Sequence, residues 1–321
     1  MAALPDAPFY ELIELPQLNV TDLDPLLNEE ISVWERRFCW NFRPSADLLR
    51  RFLQMRSLYG YALRIHGEVV GYSYYVCEGR KGLIGDFYVR MQHCTPPAEI
   101  ELLATVVQGL MRTSGIRRVE SQLMLLRDPL QIAPFSSYVT RHDRYFMVIR
   151  EQQAAALQPV STGLRTKFVG WADRYHEETA HLVSAAYKGH VDSDINDQYR
   201  TIPGARQFLT NIIRYPGCGQ FSPASSVLAL DERTGRVCGA CLTSLVSAES
   251  GHITQLCVLP ALRGARLGYE LLRQSLERLR QLGCTMASLT VTCSNVDAIR
   301  LYEAMGFRTE ASFPALVWQG W

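Results

Sequence analysis

Hydrophobic and polar positions in the second half of the chain follow a regular order. "LRTKFVGW" (164–171) alternates and predicts a strand, and "RYHEETAHLVSAAY" (174–187) has helical spacing. The polar stretch "KGHVDSDINDQYRTIPG" leads into a second helical segment, "ARQFLTNIIRY". Two strand-like runs, "SSVLALDE" and "RVCGACLTSLVS", flank Arg-Thr-Gly, a hairpin signal. "HITQLCVLP" predicts a further strand, ended by Pro260, which has no amide to give a ladder. Beyond it Leu267, Leu271, Leu272, Leu276, Leu279 and Leu282 share one face of a helix predicted over 267–282. Gly283 suits the left-handed residue that ends it. "TMASLTVTC" alternates again, with Ala287, Leu289, Val291 and Cys293 on one side. Ser294 or Asn295 can cap "VDAIRLYEAM", Gly306 ends that helix, and "FRTEASFPALVWQGW" closes as one or two strands. The predicted fold class is α/β, a mixed sheet covered by helices.

The first half runs through a similar order, from "FYELIEL" through "LLNEEISVWERRF", "SADLLRRFLQM", "YALRIHG", "EVVGYSYYV", "GLIGDFYV" and "AEIELLATVVQGLM" to "RRVESQLMLL". Setting Gly82 against Gly251 sets Val89 against Val258, an offset of about 169 residues. This pattern predicts an internal duplication, with two unrelated α/β units as the alternative. A chain of 321 residues suits two domains. We expect one over 1–150, a linker over 151–163, and a second over 164–321. The halves differ after their third hairpin strand: "RMQHCTPPAE" has no glycine, and its prolines remove amides. The counterpart of the last helix degrades into "RDPLQIAPFSSY". The first half therefore reads as a degenerate copy.

Composition narrows the functional classes. With 47% hydrophobic residues and a net charge of +1, the chain has ample core and no global field for nucleic acid or an anionic membrane. The start lacks a secretory pattern, and no apolar run approaches the ~20 residues of a membrane span. A cytoplasmic protein is expected. Nine scattered cysteines fit reduced, buried thiols. Cys238 and Cys241 have redox spacing but lie three apart on a predicted strand, hence on opposite faces. "HEETAH" places its histidines five apart, not four, and "HVDSDINDQY" lacks the glycine of a calcium loop. No metal is expected.

The turn "CVLPALRGARLGYELL" (257–272) is the richest segment. A turn entering a helix aims unpaired amides, backed by the helix dipole, at an anion. Gly264 and Gly268 permit close approach, and Arg263 and Arg266 add charge. The spacing matches neither GxxxxGK[ST] nor GxGxxG, and a plain connector with incidental arginines is the alternative. The next strand and helix follow in "SLTVTCSNVDAIRLYEAMGF" (288–307), with Asn295, Ala298, Leu301, Tyr302, Gly306 and Phe307. Together these segments resemble the GNAT superfamily of acyl-CoA-dependent N-acyltransferases, clearly from 165 to 321. The tandem layout is similar to that of mycothiol synthases.

The resemblance implies acetyl-CoA, or another acyl-CoA, as co-substrate. Leu256, Cys257 and Val258 would pair with its pantetheine arm between splayed strands. Arg263, Gly264, Ala265, Arg266, Leu267 and Gly268 would hold its pyrophosphate, and Asn295 is a further cofactor-binding candidate. Arg266 departs from the family, standing where a glycine is common. The implied reaction moves an acetyl or other short acyl group to a primary amine of a small molecule or peptide. Tyr302 would protonate the leaving thiol, and His252 is the candidate base. Asp192, Asp194 and Asp197 would draw a cationic acceptor. A non-catalytic acyl-CoA sensor or interaction scaffold is the alternative.

Overall fold

The computed structural model describes residues 10–126, 133–215 and 217–321. Its elements in chain order begin with β1 (Glu11–Glu14), α1 (Val20–Phe38), α2 (Arg43–Gln54), β2 (Tyr59–Ile65), β3 (Glu68–Glu78), β4 (Lys81–Val89), α3 (Pro96–Arg112) and β5 (Arg118–Gln122). Next come β6 (Val139–Arg150), α4 (Glu151–Ala155), β7 (Thr166–Gly170), α5 (His176–Ala186), α6 (Asp192–Ile195), α7 (Ile202–Arg214) and β8 (Gln220–Phe221). The chain ends with β9 (Val227–Asp231), β10 (Val237–Leu245), β11 (Ser250–Val258), α8 (Leu267–Gln281), β12 (Met286–Thr292), α9 (Val296–Ala304) and β13 (Arg308–Gln319). The degraded helix expected over 127–138 lies partly outside the described residues. No helix among the described residues is long and apolar enough to cross a membrane.

The chain forms two compact units. The first runs to Arg36 and takes in Phe42–His142 and Phe313–Trp321; the second comprises Arg37–Asn41 and Asp143–Ser312. Relative to the division expected from the sequence, the break falls earlier, after His142, and the final segment joins the first unit. The stretch expected as a linker opens with the short helix α4.

The sheets explain this. In the first unit β1 to β5 are neighbours in order, and Ala315–Gln319 of β13 pairs antiparallel with Arg118–Gln122 of β5. In the second the order is β6-β12-β11-β10-β9-β7, with β8 on β10, and Arg144–Arg150 of β6 pairs antiparallel with β12. Each sheet is completed by the final strand of the other half of the sequence. Strand β6 is absent from the sequence-based prediction. After Val139 its residues "TRHDR" are polar, and only Phe146–Ile149 are fully buried.

The duplication extends to atomic contacts. Parallel pairing of β4 with β5 covers Lys81 to Ile84, and that of β11 with β12 covers Ser250 to Ile253, four residue pairs each. A Cβ on Gly82 would lie 2.5 Å from Leu110 Cδ2, and one on Gly251 would lie 2.6 Å from Leu279 Cδ1. The two leucines stand at the same offset as the two glycines. In both halves the absent side chain lets a helix settle onto its sheet.

Helices α8 and α9 cover one face of the second sheet, and α5 and α7 cover the other. Of the six leucines predicted on the buried face of α8, five are buried. Leu282, the exception, is 47% exposed because α8 ends at Gln281 and the chain turns away at Gly283, φ +93°. Cys238 and Cys241 likewise depart from expectation. The register of β10 against β9 shifts between Val237 and Gly239, which resets the alternation and packs both thiols in one cluster. Burial pushes Cys238 up to about 11 and Cys241 up to about 12, so both stay protonated at neutral pH.

His252 on β11 is buried in the second unit. Its Nδ1 is 2.9 Å from Ser288 Oγ, and its ring packs edge-on against Trp40 at 4.9 Å. Burial, aided by Arg144, lowers its pKa to about 3. The unfolded chain therefore binds a proton that the folded chain refuses between the ordinary histidine pKa of ~6.5 and about 3. Stability falls as pH drops through that window, and we expect His252→Gln to flatten the fall by about one proton in urea titrations. An unchanged slope would place the acid sensitivity elsewhere. The glycine–leucine contact gives a second prediction. Gly251→Ala should cost about 1–3 kcal/mol, and Leu279→Ala should absorb much of that cost, so the double variant is more stable than the sum of its parts. Strict additivity in denaturant melts would contradict the contact.

Candidate active site

Strands β11 and β12 cease to pair after Ile253 and Leu289. On β11 the register against β10 steps from Leu242–Gln255 to Thr243–Ile253, leaving Thr254 as a β-bulge. A bulge bends its strand and reverses which face each later residue takes. Ile253 before it and Leu256 and Val258 after it accordingly lie on the α8 side, while Cys257 faces α5 and α7. The Leu259 amide donates to the Cys238 carbonyl at 2.9 Å. By the two-residue period, the Cys257 amide also faces β10, and those of Leu256 and Val258 face the opened edge. The Gln255 side chain lines the same opening, and its buried Nε2 makes no hydrogen bond.

A cleft of about 880 Å³ occupies the gap, near the upper end for small-molecule sites. Arg263, Gly264, Arg266, Leu267 and Gly268 line one region of it; Ala265 does not. Gly264 at φ +80° and Arg266 at φ 60°, ψ 11° turn the chain into α8. Arg266 is the N-cap and offers no side-chain cap. The first helical bond runs from the Glu270 amide to the Arg266 carbonyl, so the amides of Leu267, Gly268 and Tyr269 have no acceptor within the helix. A left-handed arginine costs about 1–2 kcal/mol relative to a relaxed residue. Arg263 reaches back to donate to the Ala186 carbonyl at 2.6 Å, fixing the loop to the end of α5. A Cβ on Gly268 would meet only Leu301 Cδ2, at 3.7 Å, so packing within the protein does not demand glycine there. An opened strand edge, an orphaned amide donor and an uncapped helix start preceded by two arginines fit an extended phosphorylated cofactor such as acyl-CoA.

Tyr302, Asn295, His190, Asp192, Tyr187, Tyr199 and Arg144 also line the cleft. Tyr302, on α9, is 8% exposed. Burial, with smaller contributions from Cys241 and Asp192, pushes its phenol above the ordinary tyrosine range. Tyr187 and Tyr199 stack at 4.5 Å, and burial raises both of their phenols too. Asp192 accepts a short hydrogen bond from the Thr292 hydroxyl and lies 3.7 Å from His190 Nδ1. Asn295 caps α9 by accepting from the Ala298 amide, so its Nδ2, 3.2 Å from His190 Nε2, is the donor there. The Asp192 amide donates to His190 Nδ1 at 3.1 Å.

The cleft does not gather every residue singled out from the sequence. His252 lies buried outside its lining. Asp194 is exposed and paired with Arg200 at 3.1 Å, and Asp197 is also absent from the lining. Of the three aspartates only Asp192 arrives. Arg144, Tyr187, His190 and Tyr199 escaped the sequence reading. His190 lies two residues before Asp192 in the same polar segment, a spacing that could have flagged it, whereas Arg144 sits on the unpredicted β6. Among the described residues no group of three or more His, Cys, Asp or Glu side chains is placed to hold a metal ion.

The first unit keeps the bulge but not the chemistry. Its β4 register steps from Tyr74–Asp86 to Tyr75–Ile84, leaving Gly85 unpaired, and the Tyr74 ring fills the space beside Gly85. Pro96 and Pro97 open α3, and Thr95 caps it by accepting from the Ala98 amide. The Tyr72 hydroxyl donates to Glu30 at 2.8 Å and also lies 3.3 Å from Asp86. Burial and the neighbouring Asp86 push the Glu30 carboxyl well above the usual range.

Comparison with known proteins agrees with this geometry. Residues 193–307 match the model of the acetyltransferase (GNAT) family. No curated protein matches the chain. Among solved structures, a GCN5-related N-acetyltransferase from Sphaerobacter thermophilus aligns with a TM-score of 0.65 at 15% identity, over 99% of this chain and 97% of that one. A tandem GNAT protein from the clavulanic acid biosynthesis pathway aligns at 0.60 and 15% identity, over 97% and 98%. A GCN5-related glucosamine N-acetyltransferase region of a fungal multi-domain beta-N-acetylglucosaminidase aligns at 0.63 and 15% identity, over 98% of this chain and 38% of that one. At these identities the likeness concerns the fold alone. Bulge, parted strands and uncapped helix entry thus all fall within the stretch that matches the GNAT acetyltransferase family model, in a chain whose fold is similar to that of a tandem GNAT protein.

Proposed function

We propose that the second unit is an acyl-CoA-dependent N-acyltransferase that moves an acetyl or other short acyl group to a primary amine. The observation that carries this reading is the pair of parted strands leading, through a turn that carries Arg263 and Arg266, to an uncapped α8. The Leu256 and Val258 amides and the Gln255 side chain would hold the pantetheine arm. The α8 amides, with Arg266, would hold the phosphates. When bound, the thioester supplies an activated carbonyl.

Asp192 and Tyr302 divide the proton transfers. Freeing an amine of ordinary pKa at pH 7 costs about 4–5 kcal/mol, and a carboxylate that draws the ammonium and takes its proton lowers that barrier. Of the two carboxylates that line the cleft, Asp192 and Asp297, Asp192 is the one held by the Thr292 hydroxyl. Tyr302, held protonated by its burial, gives its proton to the sulfur as the C–S bond breaks and the C–N bond forms. The proton released by the newly bonded nitrogen restores the phenol.

The first test is calorimetric titration of acetyl-CoA into the full chain, which should show one site per chain. Two sites would contradict the degenerate first unit, and none with any acyl-CoA would end the reading. With a competent amine, Tyr302→Phe and Asp192→Asn should each lower kcat by about 10²–10⁴-fold while leaving the acetyl-CoA Kd near its starting value. Because the Tyr302 phenol is raised, no falling limb from it should appear in kcat below pH ~10. Arg266→Gly separates strain from binding. It should stabilise the fold by about 1 kcal/mol through relief of the left-handed arginine, and weaken acetyl-CoA several-fold. Unchanged affinity would leave Arg266 outside cofactor binding.

A further inference from the structure

Arg144 is a cleft residue that the reaction described above does not use. It stands on β6 opposite Thr292 of β12, and its guanidinium lines the cleft beside Thr290, beyond the last paired residues of β11 and β12. Its hydrogen bonds run from Nη2 to the Thr290 carbonyl at 3.4 Å and hydroxyl at 3.2 Å. Its Nε is buried without a partner, and among the described residues no carboxylate forms an ion pair with it. A half-buried guanidinium that keeps two weak bonds and an orphaned donor has unused capacity for an anion. Fork-shaped, planar donors match a carboxylate.

Asp192 is a carboxylate of the same cleft. Asp192 accepts from the hydroxyl of Thr292, the residue opposite Arg144 in the β6–β12 ladder, and both Asp192 and Arg144 line the cleft. A ligand carrying one amine and no other charge would satisfy Asp192 and leave Arg144 unpaired in a partly desolvated site. A ligand with both an ammonium and a carboxylate satisfies both. Building on the acyltransferase reading, we propose that the acceptor is an amino acid or a similar amino-carboxylate, its carboxylate held by Arg144 while its amine meets Asp192. Arg144 is then a specificity-determining residue.

The test compares free amino acids with their amides and with the corresponding carboxylate-free amines, on the full chain with acetyl-CoA. Removing the carboxylate should lower kcat/KM by about 10²-fold, since a charge-assisted pair is lost and the guanidinium is left unmatched. Arg144→Gln should erase this discrimination, raising KM for the amino acid while leaving its amide unaffected, with the acetyl-CoA Kd unchanged by calorimetry. Arg144→Lys, retaining charge without the fork, should recover part of it. Amides or simple amines that match the amino acids in the unaltered chain would overturn the proposal, and that comparison needs no variant to fold. The same carboxylate chemistry could reside on the acyl group. A preference for succinyl-CoA over acetyl-CoA that vanishes in Arg144→Gln, with no preference among acceptors, would overturn it in favour of that source. Titrating amino acid against amide into the CoA-saturated chain reads the carboxylate site without turnover. Lack of acyl transfer to every amine would therefore sink the acyltransferase reading, while this titration alone decides the role of Arg144.

Discussion

The separation of β11 from β12 after four residue pairs governs the rest of the second unit. Two parallel strands that continued side by side would satisfy their own amides and leave no slot. The bulge at Thr254 bends β11 away and exposes one edge of it. Open backbone edges inside a fold are costly unless something pairs with them. An edge held open by a bulge on one side and by the firmly packed α8 and α9 on the other is therefore a binding feature built into the framework. Because the same separation sets where β11 ends, it also fixes where the chain must turn into α8, and so where the helix aims its free amides.

The first unit shows how little must change for such a framework to lose its site. It keeps the four-pair parallel ladder, the bulge and the glycine beneath the helix. Two prolines and a threonine cap remove the free amides at the start of its helix, and an aromatic ring fills the space at the bulge. The two units thus share the framework and differ in the free amides at the start of the helix.

The chemistry at the other end of the cleft comes from distant parts of the chain. Arg144 is delivered by β6, His190 and Asp192 by the segment after α5, and Asn295 and Tyr302 by the turn into α9 and by α9 itself. Their order is imposed by hydrogen bonds between segments: Thr292 on Asp192, and Asn295 on His190. Arg263 adds a tie of the same kind between the turn and α5.

Local periodicity placed the longer elements of the second unit from β7 onward, each of which carries a repeat of its own, while β6 and the short α4, α6 and β8 left no such signal. Leu271, Leu276 and Leu279 mark α8, the alternation of Ala287, Leu289 and Val291 marks β12, and Asn295 and Gly283 mark helix boundaries. The turn into α8 was legible for the same reason, as its glycines and arginines fall within one short stretch. The partners of the last strands were not legible. Through the duplication, the open edges of β5 and β12 are alike, so β6 and β13 meet equivalent templates, and only the packing of the complete chain selects the exchange. The cleft residues divide in the same way. Tyr302 lies within a contiguous motif and could be read. His252 looked suitable by its place on a strand, but one bulge and one tryptophan decide that it is buried away from the cleft. Arg144 carries no local signal, since its role depends on a strand pairing between residues far apart in the chain. Contiguous chemistry is written in the order of residues, whereas chemistry assembled across strands is decided by register, and register is a property of the folded sheet.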